Sequence, residues 1–556
     1  MKDLITKYGV YMLLLLWAIA CFAFFQWWYP YHFFYQEQNQ LFLWSTDYLL
    51  TYFNKPAWLA CLAGDFLTQF YYYLYAGPII LTIALLIVGD FTRRALQAAE
   101  IESKWLPYLI AIVVMTVEAS FCLHYDFRLS SVLAFAGGAA TFWISTTLLN
   151  HIRIWIHLEN NLREAPMMIA GMGLPHWLSL LSIIICVPIS FWLFGYGVWV
   201  YAALVLTGCL LYVKQPCNYL RLGTLAVCMF LLMLTKRFYY LDFDELYSYP
   251  NIGKLTKPQF DLEKTFAVDD EYYFGNYNKV VKLVENEAEP NQQMKFYYNL
   301  VMAQQGMLPD KLLSLKDNYL GTFEHLGPDT PTLTIKSINE LYWVLGDMTF
   351  AERATILGNV CSPDKRNIRM IKRLAEINLV SGNTEAAKKY LRILEKTFVW
   401  KKWSTAILLA LDRQIHTGIS QGILRKYNEK ANNTNQTDTI RRNDNARTIM
   451  QELLQSNPEN HVALDYLLCS DLLLKDMESF KQDYDSFCHQ MENPPYNVKL
   501  YQEALMIYLA GTHASATEWM KYIKRTDIME RFKQYNQQRG DITFNDTYWY
   551  YFDKNN

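Results

Sequence analysis

Three carboxylates set among aromatic rings are the residues of this 556-residue chain best suited to chemistry. Glu37, Asp47 and Asp65 lie in segment 29–70, YPYHFFYQEQNQLFLWSTDYLLTYFNKPAWLACLAGDFLTQF. A carboxylate among rings is poorly solvated, which suits a general base or a ligand for a hard cation. The plainer use of the same acids is to solvate helices that lie on a membrane surface. A second group stands in His124-Tyr-Asp126-Phe-Arg128. His124 and Asp126 could join Glu37 around a metal ion, or they could cap helix ends while Arg128 neutralises Asp126. Glu118 falls inside an apolar run. A carboxylate in a bilayer costs roughly a few kcal/mol unless paired or hydrated, so Glu118 is a candidate by position.

The elements that must position these acids are apolar. Seven stretches before residue 236 are candidates to enter a bilayer: Gly9–Trp28, Tyr71–Val88, Leu106–Leu123, Leu129–Leu149, Trp177–Leu193, Gly197–Val213 and Leu222–Leu234. Basic residues assign their sides. Lys2 and Lys7, then Arg93, Arg94 and Lys104, then Arg153 and Arg163, then Lys214 and Arg221 alternate with segments poor in Lys and Arg. The pattern puts the N-terminus inside, segment 29–70 outside as a long outer loop, and the remainder of the chain outside, which in a bacterium is the periplasm. Within the outer loop, Leu41–Phe53 and Pro56–Phe66 read as short amphipathic helices, with Ser45 or Asn54 as caps.

After residue 236 the chain turns polar and helix-patterned. Segment 236–270 reads as an aromatic, acidic connector with strand and loop character. Residues 271–556 read as paired helices of tetratricopeptide type, where small residues mark helix contacts. The clearest pair is Arg373–Thr397, with Ala375, Gly382, Ala386, Tyr390 and Leu394 as packing positions. Tyr297–Leu313 and Ala463–Tyr484 follow the same pattern, and Tyr501–Ala510 begins a last pair. Such pairs stack into an α-solenoid. Lys426–Arg442 reads as a polar loop, and the terminal TYWYYFDKNN as a docking tail. The expected fold is all-α: a seven-span membrane domain over 1–235, then a periplasmic helical-repeat domain.

Several functions are set aside. Residues 1–235 hold eleven Lys/Arg and eleven Asp/Glu, and the whole chain is balanced at −2, so neither half has the basic excess that nucleic acid requires. There is no Walker loop, strand-linked GxGxxG, HExxH or CxxCH. No cofactor is indicated by motif. Cys361, Cys469 and Cys488 allow at most one internal disulfide in the second half, for which Cys469 and Cys488 are the candidates.

The segments QEQNQLFLWSTDYLLTYF and GDFLTQFYYY, the stretch RLAEINLVSGNTEAAKKYLRILEKTFVWKKW and the terminal TYWYY resemble an uncharacterised family of Bacteroidota membrane proteins over nearly the whole chain. That resemblance implies an inner-membrane location and no assigned activity. The arrangement of a span, a long outer loop with membrane-lying helices, further spans and a periplasmic domain is also similar to the GT-C membrane glycosyltransferases. By that likeness Glu37 or Asp47 would be the base or metal ligand and Asp126 would assist, with a divalent cation and a polyprenyl-phosphate sugar donor. Asp65, His124 and Arg128 would be secondary. The chain departs from that pattern in having no DxD or ExD pair in its first two outer loops, a very short second outer loop and only seven spans.

Two readings follow from these residues. In the first, the spans anchor a helical-repeat interaction module of envelope or polysaccharide biogenesis, with membrane lipids around it and a protein or glycan partner on the solenoid. In the second, the chain is a lipid-linked glycosyltransferase. A transporter built on Glu118 is a third use, for which no internal repeat of spans is visible.

Overall fold

Leu-, Ile- and aromatic-rich runs with few internal prolines become helices from one end of the chain to the other. The computed structural model describes residues 2–98, 105–160, 176–211, 219–238, 250–321, 332–362, 365–413, 418–432, 434 and 446–554. Every regular element among these described residues is helical. The chain forms two compact units. The first comprises Met1–Glu263 together with Ser362–Ile368 and Glu395–Lys401; the second comprises Lys264–Cys361, Arg369–Leu394 and Lys402–Asn556. The boundary after Glu263 lies within the expected connector 236–270, and the first unit also takes in two short returns from far along the sequence.

In the first unit, α1 (Lys2–Trp27) leads to three short helices of segment 29–70, α2 (Tyr31–Gln38), α3 (Thr46–Phe53) and α4 (Trp58–Thr68). A 3₁₀ turn, Gln69–Tyr72, then joins α5 (Ala76–Ala98), α6 (Leu106–Phe121), α7 (Leu129–Asn160), α8 (His176–Phe194), α9 (Gly197–Leu211) and α10 (Tyr219–Phe238). Helix α7 is central, packing on α4, α5, α8 and α9. Glycine permits the closest of these approaches: a Cβ at Gly138 would stand 2.0 Å from the Gly197 carbonyl oxygen. Cys21, Phe25, Leu81, Leu85, Val88 and Val132 centre one core, and Phe142, Ile183, Val187, Tyr201 and Leu232 another.

Large apolar side chains also face outward on all seven long helices, for example Leu15 and Ile19 on α1, Ile79, Ile83 and Ile87 on α5, Leu109 and Val113 on α6, and Ile144 and Leu148 on α7. Leu181 and Ile185 on α8, Leu206 on α9, and Phe230 and Met233 on α10 continue the pattern. Length is less uniform than the sequence reading expects. Among the described residues one helix segment, Leu129–Ile152, is long and apolar enough to cross a bilayer alone; α1 and α2 qualify as a pair bent by 72°. Helices α6 and α9 run 16 and 15 residues, short of the roughly 20 that a span needs. Helix α5 carries Asp90, Arg93 and Arg94. The residues Lys104, Arg163 and Lys214, used to assign sides, lie outside the described residues.

The second unit begins within α11 (Phe260–Tyr273) and continues through α12 (Tyr277–Glu285), α13 (Gln292–Gln304), α14 (Leu308–Lys311), α15 (Thr332–Leu345), α16 (Met348–Val360), α17 (Ile368–Val380), α18 (Thr384–Leu394), α19 (Lys401–Arg413) and α20 (Gly418–Asn432). Then come α21 (Ala446–Ser456), α22 (His461–Leu473), α23 (Met477–Phe487), α24 (Lys499–Gly511), α25 (Ala516–Tyr522), α26 (Thr526–Gln537) and α27 (Tyr548–Lys554). The pair α17–α18 forms as expected, turning at Gly382 with φ +72°. Its second helix is phased one residue later than the sequence reading: Ala387, Leu391 and Leu394 are fully buried, while Ala386 and Tyr390 are partly exposed. The pair α22–α23 buries Tyr466, Leu467, Leu472, Phe480 and Tyr484 as expected.

Other expectations change. Tyr297–Leu313 is no full pair, because α14 is a single turn. Phe260–Asp270 of the expected connector is helical, with Asp261 in its first turn favouring that start; residues 239–249 lie outside the described residues. Lys426–Asn432, expected as loop, completes α20, while residue 433 and residues 435–442 lie outside the described residues. Cys361, Cys469 and Cys488 are free thiols. The aromatic tail does dock. Trp549 donates its indole N–H to the Glu503 carbonyl (2.9 Å) and the Tyr548 hydroxyl donates to the Leu472 carbonyl (2.8 Å).

Candidate functional site

Segment 29–70 of the first unit is folded inward by its aromatic content. Helix α2 buries His32, Phe33, Phe34, Tyr35, Glu37 and Gln38, nearly its whole circumference. Pro30 precedes it and offers no side-chain cap. The cap comes from Glu263, whose carboxylate accepts the backbone N–H of Tyr31 and that of His32 (3.2 Å). Burial raises the Glu263 carboxyl to about 8, against the two N–H donors, and burial lowers the adjacent His32 imidazole to about 3. His32 is thus neutral at physiological pH. Glu263→Ala should cost about 1–2 kcal/mol, the upper range for a lost cap, with Glu263→Gln between it and wild type; thermal melting in mild detergent checks the order.

Helix α4 and the start of α7 supply the other walls. Tyr35, Gln36, Asn39 and Gln40 face Asp65 and Thr68 of α4, Tyr125, Asp126 and Arg128 of the α6–α7 turn, and Ser130 of α7, around a recess. Hydrogen bonds hold the pieces: Gln36 Nε2 donates to the carbonyls of Tyr125 (3.0 Å) and Phe127 (3.1 Å), and Gln40 Nε2 to that of Asp65 (3.1 Å). Tyr52 donates its hydroxyl to Asp65 Oδ2 (2.8 Å). Burial and the Asp65 charge push Tyr52 far up, so it keeps its proton. Burial also raises Asp126, with His124 and Arg128 opposing. His124 Nδ1 accepts the Asp126 backbone N–H (3.3 Å), leaving Nε2 to carry the ring proton when neutral.

Of the acids singled out in the sequence, Asp65 and Asp126 meet here, with Arg128. Glu37 is buried and lines a smaller neighbouring recess with Gln40, Phe42, Gln69, Ile368, Thr397, Phe398 and Val399. Asp47 is exposed in the first turn of α3 and lines neither recess; there it complements the helix dipole. Ser45 occupies the N-cap position of α3 without a side-chain cap bond, and Asn54 is its C-cap. Glu118 is buried on the α6 face that carries Pro107, Ala111 and Met115. Its Oε2 has no hydrogen-bond partner among the described residues, and it too lines neither recess.

Size limits the chemistry. The larger recess has a volume of about 40 Å³ and the smaller about 10 Å³. These admit a few waters and one water respectively, against the roughly 300 Å³ at which ligand pockets begin. No group of three His, Cys, Asp or Glu able to hold a metal ion occurs among the described residues. The metal site drawn from Glu37, His124 and Asp126 therefore has no donor set here, and no metal step is derived.

Sequence reasoning missed the amide walls, Gln36, Asn39 and Gln40, although the run YQEQNQ among aromatics was a visible signal. It also missed Asn367, which donates to Asn39 Oδ1 (2.9 Å), and Ile368, whose N–H donates to the Gln40 carbonyl (3.2 Å). Nothing local to either partner marks such distant pairs.

The model of a family of unknown function (DUF6057) matches residues 5–555. No curated protein and no solved structure matches the chain.

Proposed function

For a chain that belongs to this family of unknown function along nearly its whole length, we propose a membrane-anchored interaction module. Its first unit sits in the bacterial inner membrane, and its helical-repeat unit, of tetratricopeptide type, works in the periplasm, holding a protein or glycan partner of envelope or polysaccharide assembly. The observation that carries the membrane part is the outward apolar face on each of the seven apolar helices α1 and α5 to α10. Soluble monomers rarely expose more than a few hundred Å² of contiguous apolar surface, whereas lipid leaves such faces in place at no cost. In that setting the short helices α6 and α9 are accommodated by local bilayer thinning or by flanking aromatic residues. The module reading draws on the second unit being helical among its described residues, with neighbouring helices such as α15 and α16 or α22 and α23 packed as pairs.

The test is mass spectrometry of the full-length protein purified from membranes in mild detergent. The expected result is a stoichiometric envelope protein or glycan with bulk phospholipid only. A co-purifying polyprenyl-phosphate sugar would overturn this reading in favour of the transferase.

One observation favours that transferase as a second reading: Asp65, Asp126 and Arg128, from separate segments, line one recess. It requires the recess to open well beyond its present volume. For the interaction module, Asp65→Asn and Asp126→Asn each leave in vivo function within about twofold at unchanged protein level. For a transferase, loss of an essential acid or base costs about 10²–10⁴-fold. A complementation assay with immunoblotting separates the two.

A further inference from the structure

The return Glu395–Lys401 belongs to the first unit although helices of the second precede and follow it in sequence. It is fastened to the outer loop by main chain and rings. Trp44 donates its backbone N–H to the Lys396 carbonyl (2.7 Å). The Phe398 ring packs edge-on against Phe70 (5.2 Å between centroids) and Tyr73 (6.4 Å), and Trp400 against Tyr72 (5.7 Å). Thr397 is buried beneath, its hydroxyl accepting the Trp400 N–H (3.2 Å). The segment is therefore held firmly, yet Phe398 is left 50% exposed, as are Trp44 at 51% and Leu74 at 72%.

The position of this exposed patch identifies what covers it. Tyr73, Leu74 and Tyr75 run directly into α5, whose Ile79, Ile83 and Ile87 form one outward stripe at helical spacing. The apolar surface is thus continuous from the body of α5 to Phe398. Where an inserted helix leaves the hydrocarbon, aromatic rings lie at the headgroup level and lysines reach the phosphates. Lys396 and Lys401, on either side of Phe398, are both exposed.

We propose that Glu395–Lys401 is a membrane-interface anchor, with Phe398, Trp44 and Leu74 seated at the headgroup–acyl boundary of a phospholipid bilayer and Lys396 and Lys401 toward its phosphates. This rests on the membrane reading of the first unit, and the experiment separates the two. Phe398, Leu109 of α6 and Met520 of the second unit are each replaced by the photo-crosslinker p-benzoylphenylalanine in the full-length protein in native membranes. After irradiation, phospholipid adducts are quantified by mass spectrometry. Adducts at 398 and 109, each at least tenfold above those at 520, are the expected result. Adducts at 109 with none at 398 overturn the anchor and leave the membrane reading standing. No adduct at 109 removes the membrane reading and the anchor together, and equal adducts at all three positions remove the anchor.

Discussion

Arg369→Met should destabilise the second unit by about 3–5 kcal/mol, the cost of breaking a buried ion pair from one side. Arg369 is 2% exposed and forks between two acids. Its Nη1 donates to both oxygens of Asp269 (2.9 and 3.0 Å), and Nη2 to Glu340 Oε1 (3.1 Å). Its guanidinium also lies over the Tyr273 ring at 4.7 Å. Tyr297 donates to the same Asp269, and Arg373 bridges Glu340 and Glu376. Methionine fills the volume but leaves Asp269 without its cation in a dry interior. Arg369→Lys should recover only part of the loss, because one ammonium cannot serve both carboxylates in a planar fork. Thermal melting and limited proteolysis of the full-length protein in detergent read both variants; unchanged melting for Arg369→Met would refute the account.

Acid attacks the same network with a defined sign. Burial alone would raise Glu376, but Lys372 and Arg373 outweigh it and hold the group at about 2. A carboxyl lowered by folding adds stability above its ordinary value near 4.5 and loses it as pH falls toward 2. Melting temperature should therefore drop across that interval, and Glu376→Gln should flatten this part of the profile.

The second large effect belongs to Gly138→Ala. The new Cβ would lie 2.0 Å from the Gly197 carbonyl oxygen, a backbone atom that no rotamer change can move. Helices α7 and α9 must separate, at a cost of about 3 kcal/mol or more. The control is Gly223→Ala on α10, where a Cβ meets nothing within 4 Å. There the same change should be neutral or stabilising by roughly 0.5–1 kcal/mol through helix propensity. Opposite shifts in melting temperature for two identical substitutions are the expected result.

Much of the helical plan was legible because it rests on local periodicity. The apolar runs, the turn at Gly382 and the Tyr466–Tyr484 pair all follow from side-chain spacing that neighbours in sequence determine. Phase is harder: Ala386 and Ala387 are adjacent alanines, and only packing selects the second. Length is harder still, since Asp90, Arg93 and Arg94 continue α5 as helix while ending its apolar character. Segment 29–70 and the His124–Arg128 turn supply the lining of the larger recess, Asp65, Asp126 and Arg128 among it. Glu37 and Asp47 fell elsewhere because helix α2 turns Glu37 inward toward Gln69 and Thr397, and α3 leaves Asp47 in solvent. The cap on α2 could not be read at all, because its donors at 31 and 32 and its acceptor at 263 belong to different parts of the chain.

A unit written in three separated stretches also has a history imposed on it during synthesis. When segment 29–70 first emerges, the Gln40 carbonyl and the Trp44 N–H have no permanent partners, because Ile368 and Lys396 have not been made. At about 5–20 residues per second, the ribosome needs roughly 20–70 s to reach them. Through that interval water or a holding factor must satisfy these groups, and the loop is open to proteases. The part of the first unit that appears early is among the last to be finished, and a fragment ending at residue 263 would carry its helices without the means to close it.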